Sequence, residues 1–274
     1  MNFRRYIRLN FQALCFALFS TFILFVLHHL PVNQIFIDPF SEAIKQHDVM
    51  DIAFSKRYGI SENELMPWHF QGRYFQESPK LYPVDLDKFY KGKHLEKLTE
   101  EFYSGIGLNV SSIMKSSDLY EKPLKNQHAY CIDINANGDV RVLANISDNE
   151  SWMGTMLHEF GHAVYALGHD DSSNPFFLRN AAHTFTTEAI AMIFGRLSRN
   201  PEWMRLSLGL TDIEKSEIEE DCYKSLKLQQ LVFSRWVQVV YRFEKEMYSN
   251  PEQDLNALWW NLAEKYQMLK KPHN

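Results

Sequence analysis

Cysteine is scarce in these 274 residues: Cys15, Cys131 and Cys222 are all the chain holds, and no two of them form a CxxC pair. Neither a disulfide framework nor a thiolate metal site is indicated. A basic stripe is missing as well. With 29 Lys and Arg against 34 Asp and Glu the formal charge is -5, which argues against a nucleic-acid partner. No internal repeat, low-complexity tract or Gly/Ser linker interrupts the chain. What is present is a 45% hydrophobic and 14% aromatic composition, enough to bury one sizeable core, so one globular domain with an appendage is expected.

The appendage is residues 1–35. Arg4, Arg5 and Arg8 precede a run from Leu9 to Ile37 without Asp, Glu, Lys or Arg, and 14 of the 17 positions from Phe11 to Leu27 are apolar. About 20 such residues span a bilayer, and basic residues ahead of the span favour a cytoplasmic N-terminus. The expectation is therefore a membrane partner, a single pass near Phe11 to Leu27, and an extracytoplasmic remainder, 36–274. Two readings compete with it. A cleaved signal peptide is disfavoured because Val26-Leu-His-His-Leu-Pro31 lacks the small-x-small site that cleavage prefers. The other is a cytoplasmic chain.

From Ser41 onward the pattern is mainly α. Ser41 opens a helix that Gly59 can end, and Ser61 with Glu64 makes a capping box before Pro67. The aromatics Trp68, Phe70, Tyr74 and Phe75 are expected in the core. His94 to Tyr103 is helical, with Leu95, Leu98 and Phe102 on one stripe. The period then changes: His128 to Asp133 and Val140 to Asn145 are short strands joined by the turn signal Asn135-Ala-Asn-Gly-Asp139, a small β-hairpin. Helices resume, with Asp212 to Met247 at near-helical spacing and Asn250-Pro251 as the cap and first turn of a last one.

The chemistry concentrates in Met-Leu-His158-Glu159-Phe-Gly-His162. His158 and His162 stand four residues apart, so on a helix their imidazoles share a face and can close on one metal ion. Zinc suits neutral imidazole, and a catalytic zinc takes three protein ligands and leaves a fourth position to water. Glu159 is then placed to take a proton from that water. Ser147 and Glu150 read as a capping box for this helix. Met153, Leu157, Phe160, Val164 and Leu167 form its apolar stripe, and Gly168 offers a stop.

A third ligand must come from elsewhere. His169 is one residue out of register for HExxHxxGxxH, because Tyr165 and Gly168 stand where Gly and His are needed. Glu188 lies in a helical run of mostly apolar residues, where an unpartnered buried carboxylate would be costly, and is preferred. Asp170 and Asp171 are the runners-up.

The run His158-Glu-Phe-Gly-His162, then Pro175-Phe-Phe-Leu-Arg-Asn180, then Glu188-Ala-Ile resembles the angiotensin-converting enzyme family and its bacterial oligopeptidase-like relatives. The likeness is strongest from Asn126 to Trp203 and continues more weakly from about Ile60 to the C-terminus. It implies a mainly helical zinc metallopeptidase of the HExxH…E (gluzincin) type. Its third ligand would be Glu188 and its substrate a peptide. His128-Ala129, followed by Asp133 and Arg141, is similar to the hairpin on which those peptidases lay the substrate backbone, so the resemblance implies that His128 and Ala129 contact substrate. One departure is Met192, where the converting enzymes carry an acidic partner for a zinc ligand.

The leading reading is thus a zinc peptidase in which Glu159 is the general base. The alternatives are a zinc-binding relative without turnover that binds peptides or partner proteins, and a membrane-anchored helical interaction protein in which HExxH is accidental. In the resembling peptidases a Tyr and a His that stabilise the oxyanion lie downstream of the zinc helices, and Asn274 ends this chain before such a segment. The corresponding expectation is a partial peptidase domain that binds zinc, hydrolyses peptides feebly or not at all by itself, and belongs to a longer peptidase or works with a second chain.

Overall fold

Two helices that cross at glycine and alanine, with a two-stranded hairpin beside the first, make the scaffold of the HExxH segment. The computed structural model describes residues 38–70, 74–82, 84–134, 136–169, 174–181 and 183–272. Along them run α1 (Asp38–Tyr58), α2 (Asp87–Tyr90), α3 (Leu95–Gly105), α4 (Ser111–Ser116), β1 (Tyr130–Ile134), β2 (Asp139–Leu143), α5 (Glu150–His169), α6 (Thr184–Gly195), α7 (Pro201–Leu208), α8 (Asp212–Ser249) and α9 (Leu255–Gln267). The described chain is mainly helical, as its apolar periodicity predicts. Among these residues no helix is long and apolar enough to cross a membrane. The span expected at Phe11 to Leu27 lies outside the described residues.

The chain divides into two compact units, and the division falls inside α8, after Cys222. The unit Val84–Cys222 is built around α5. Met153, Met156, Leu157, Phe160 and Ala163 are fully buried, and Tyr90, Tyr103, Val110, Ile113, Val142 and Met204 close around them. Buried hydroxyls in this core find carbonyl partners: Tyr103 Oη donates to Leu157 O and Tyr90 Oη to Ser198 O, each at 2.5 Å. That removes the cost of an unpaired polar group in an apolar interior.

The start of α5 departs from the sequence expectation. Ser147 and Glu150 do not cap it; the Asn149 side-chain oxygen accepts from Trp152 N at 2.8 Å. Glu150 is drawn inside instead, where it accepts from Ser198 Oγ at 2.7 Å and Arg199 Nε at 2.8 Å. A charge-assisted pair in the interior outcompetes a cap bond at the surface. Gly168 does not stop the helix, which continues to His169.

β1 and β2 pair antiparallel, with Cys131 opposite Val142 and Asp133 opposite Val140. Gly138 closes the turn at φ +83°, a conformation that suits glycine. The far side of β2 is taken: Asp118 N donates to Val142 O, and Ala144 N to Asp118 O, both at 2.9 Å. Among the described residues no strand lies on the far side of β1, so β1 is the open edge. Val140 and Val142 anchor the hairpin in the core, while Tyr130 and Ile132 are exposed.

The second unit contains the described chain from Asp38 to Tyr82 and from Tyr223 onward. Its core joins Met50 and Phe54 of α1 to Phe70, Phe75, Leu228, Val232 and Leu269. Of the aromatics expected in the core, Phe70 and Phe75 are buried, whereas Trp68 and Tyr74 are exposed. Helix α1 already includes Asp38, three residues before Ser41, and Asn250-Pro251 does not open α9. Asp254 does so, accepting from Ala257 N at 2.9 Å. Gln253 Nε2, bonded to the carbonyls of Glu246 and Asn250, ties down the intervening turn.

Candidate functional site

Position 161 decides how near α6 comes to α5. A Cβ there would stand 2.8 Å from the Ala191 Cα and 3.1 Å from the Phe194 ring, so only glycine admits this approach. Gly195 repeats the arrangement one turn on, where a Cβ would meet the His158 Cβ at 3.2 Å. The close crossing brings the first turns of α6 opposite the imidazoles of α5.

There His158 Nε2 and His162 Nε2 face each other at 3.1 Å. The Glu188 carboxylate spans both, with one oxygen 3.5 Å from His158 Nε2 and the other 3.6 Å from His162 Nε2. Donors about 2.0–2.1 Å from a tetrahedral ion stand roughly 3.3 Å apart, close to the separations seen. All three groups offer one ligand atom within 4.8 Å of the others. The donor set of two imidazoles and a carboxylate therefore fits a zinc-sized ion. Burial holds both imidazoles below the usual histidine range, as a metal ligand requires, and for His158 the neighbouring His162 adds to the effect.

Glu188 reaches this position differently from the sequence argument. Its side chain is 47% exposed and opens into the pocket, so no uncompensated burial forces it onto a partner. The burial in its run falls on Ala191 and Phe194, where α6 crosses α5 at Gly161.

The pocket, of about 370 Å³, is lined by Ala129, Tyr130, Cys131 and Asp133 from the hairpin side, His158, Glu159, His162 and Ala166 from α5, and Thr184, Thr187 and Glu188 from α6. Glu159 is 7% exposed. Burial, then the charge of Glu188, pushes its carboxyl up to about 7, against the opposing pull of the Cys131 backbone N–H. A carboxylate near that value exchanges protons readily at neutral pH. Burial likewise pushes the Cys131 thiol up to about 12, which keeps it protonated and unreactive.

Of the residues singled out from sequence, His158, Glu159, His162, Glu188, Ala129 and Asp133 come together here. His128 is exposed and is not part of the lining, and Arg141 pairs with Asp139 on the far strand. Asp170 and Asp171 lie outside the described residues. Sequence reasoning missed Thr187, whose Oγ1 lies 2.7 Å from His162 Nδ1. Its only signal was its place beside Glu188.

The peptidase M2 family model, described as angiotensin-converting enzyme, matches residues 81–274. Angiotensin-converting enzyme of Mus musculus is 26% identical over 209 residues, 72% of this chain and 16% of that protein. The Rattus norvegicus enzyme matches equally, and that of Sus scrofa is 27% identical over 187 residues, 65% of this chain and 14% of its own. The chain thus spans about a sixth of the length of these curated relatives.

Proposed function

Since the chain belongs to the angiotensin-converting enzyme family of peptidases, we propose that it is a zinc-dependent peptidase in which His158, His162 and Glu188 hold the metal and Glu159 is the general base. The observation that carries this reading is the triangle of two imidazole nitrogens and a carboxylate with Glu159 in the same pocket. A zinc ion supplies Lewis acidity there, polarising the peptide carbonyl and making water a stronger acid. Glu159 accepts the proton of the attacking water on a carboxylate oxygen and returns it to the departing amine, a role its raised pKa suits. The open edge of β1, with Ala129 just ahead of it, pairs with the backbone of an extended peptide and presents its carbonyl to the site, with His128 flanking the entry. For residues 1–35 the proposal is a membrane anchor, with 36–274 as the peptidase domain outside the cytoplasm. Protease shaving of intact cells is expected to remove that domain, and its full protection would refute the topology.

The catalytic reading is tested by metal content and peptide turnover of the whole chain. One zinc per chain is expected, lost on Glu188→Gln and retained in Asp170→Asn and Asp171→Asn. Glu159→Gln is expected to keep the zinc while removing whatever hydrolysis the chain performs. A chain that binds no zinc, or hydrolysis that survives Glu159→Gln, would overturn the assignment.

A further inference from the structure

We propose that Thr187 is a positioning residue of this centre: its hydroxyl fixes the tautomer and orientation of His162 so that Nε2 presents its lone pair to the ion. The proposal rests on the ligand assignment above and adds a residue to it.

A neutral imidazole carries one N–H, so a ring that offers Nε2 to a metal must carry its proton on Nδ1. His162 Nδ1 lies 2.7 Å from Thr187 Oγ1, a hydrogen-bonding distance, and the hydroxyl oxygen can accept. With Nδ1–H donating to Thr187, Nε2 is left as the acceptor that faces His158 Nε2 and Glu188. A threonine does this better than a longer side chain because its β-branch restricts χ1, so the hydroxyl cannot swing away freely. Thr187 and Glu188 are neighbours on α6, and the same turn of helix delivers one ligand and steadies another.

The partner is neutral, which distinguishes it from the usual carboxylate behind a ligating histidine. Met192, one turn beyond Glu188, supplies only a thioether, a weak acceptor. Thr187 is thus the only hydrogen-bond partner of His162 Nδ1 among the described residues. Removing a group in this role typically costs 10- to 100-fold in metal affinity.

The test compares Thr187→Val, which keeps the shape and loses the hydroxyl, with Thr187→Ser, which keeps the hydroxyl. The readouts are the zinc dissociation constant of the whole chain, by competition with a chromogenic chelator, and the visible absorption of the cobalt(II)-loaded protein. Thr187→Val is expected to bind zinc about 10-fold or more weakly with altered cobalt bands, and Thr187→Ser to stay near the parent in both. Thr187→Ala, scored the same way, replaces the valine variant if that one does not fold. Parent-like affinity and spectrum in the variants without hydroxyl would overturn the proposal, as would a serine variant as weak as the valine one. A parent chain that binds no zinc would instead refute the ligand assignment, and a parent that binds with variants unchanged would refute Thr187 alone.

Discussion

Glu150 shows how a single side chain can be worth more inside than at the surface. It is 8% exposed and accepts from both Ser198 Oγ and Arg199 Nε, tying the start of α5 to the 3-10 turn that follows α6. Glu150→Ala leaves those donors without their acceptor, and a loss of about 1–3 kcal/mol is expected, read as a lower midpoint in urea unfolding with little change in slope. The same residue marks the limit of local reading. Ser147-x-x-Glu150 has the form of a capping box, but the competing partners stand 48 and 49 residues away and no local pattern discloses them. His158, Glu159 and His162 were legible because helix geometry alone puts them together. Glu188 needed the family resemblance as well, and Thr187 went unread because its contact with His162 exists only once α5 and α6 have crossed.

For the helix pair the controlling element is the glycine contact. Gly161→Ala would place a methyl against the Ala191 backbone at 2.8 Å, which flexible side chains cannot relieve. The expected cost is about 1–3 kcal/mol from overpacking, offset in part by alanine's better helix propensity. Because α6 must retreat, Glu188 moves away from the imidazoles and zinc binding weakens too. Gly168 supplies the control: it lies in α5, and a methyl added there would meet none of the described residues within 4 Å. Gly168→Ala is expected to raise stability by about 0.5–1 kcal/mol and leave zinc affinity unchanged, both read from melts and chelator competition. Elements were more legible than their phases. The long helix 212–249 is continuous, and although Phe233, Trp236 and Val240 also recur near helical spacing, its inward line in the second unit runs Leu228, Val232, Arg235 and Val239. Apolar residues on both stripes leave periodicity unable to choose, and packing against α1 and Leu269 does so.

At the scale of the whole molecule, an ion held by α5 and α6 together stabilises whatever fold sets those helices side by side. Free zinc at 100 times its dissociation constant contributes about 2.7 kcal/mol, so zinc is expected to raise the melting temperature and a chelator to reverse the rise. A melting curve indifferent to both would speak against the site. Two imidazole nitrogens 3.1 Å apart also act as a gauge of ionic radius and softness. Calcium collects six to eight oxygens at about 2.3–2.6 Å and has little use for nitrogen donors set so close. Calcium is therefore expected to leave the melt where it was while cobalt(II) moves it as zinc does, and the one missing Cβ that lets Glu188 reach those nitrogens would help turn a helix crossing into a filter between metals.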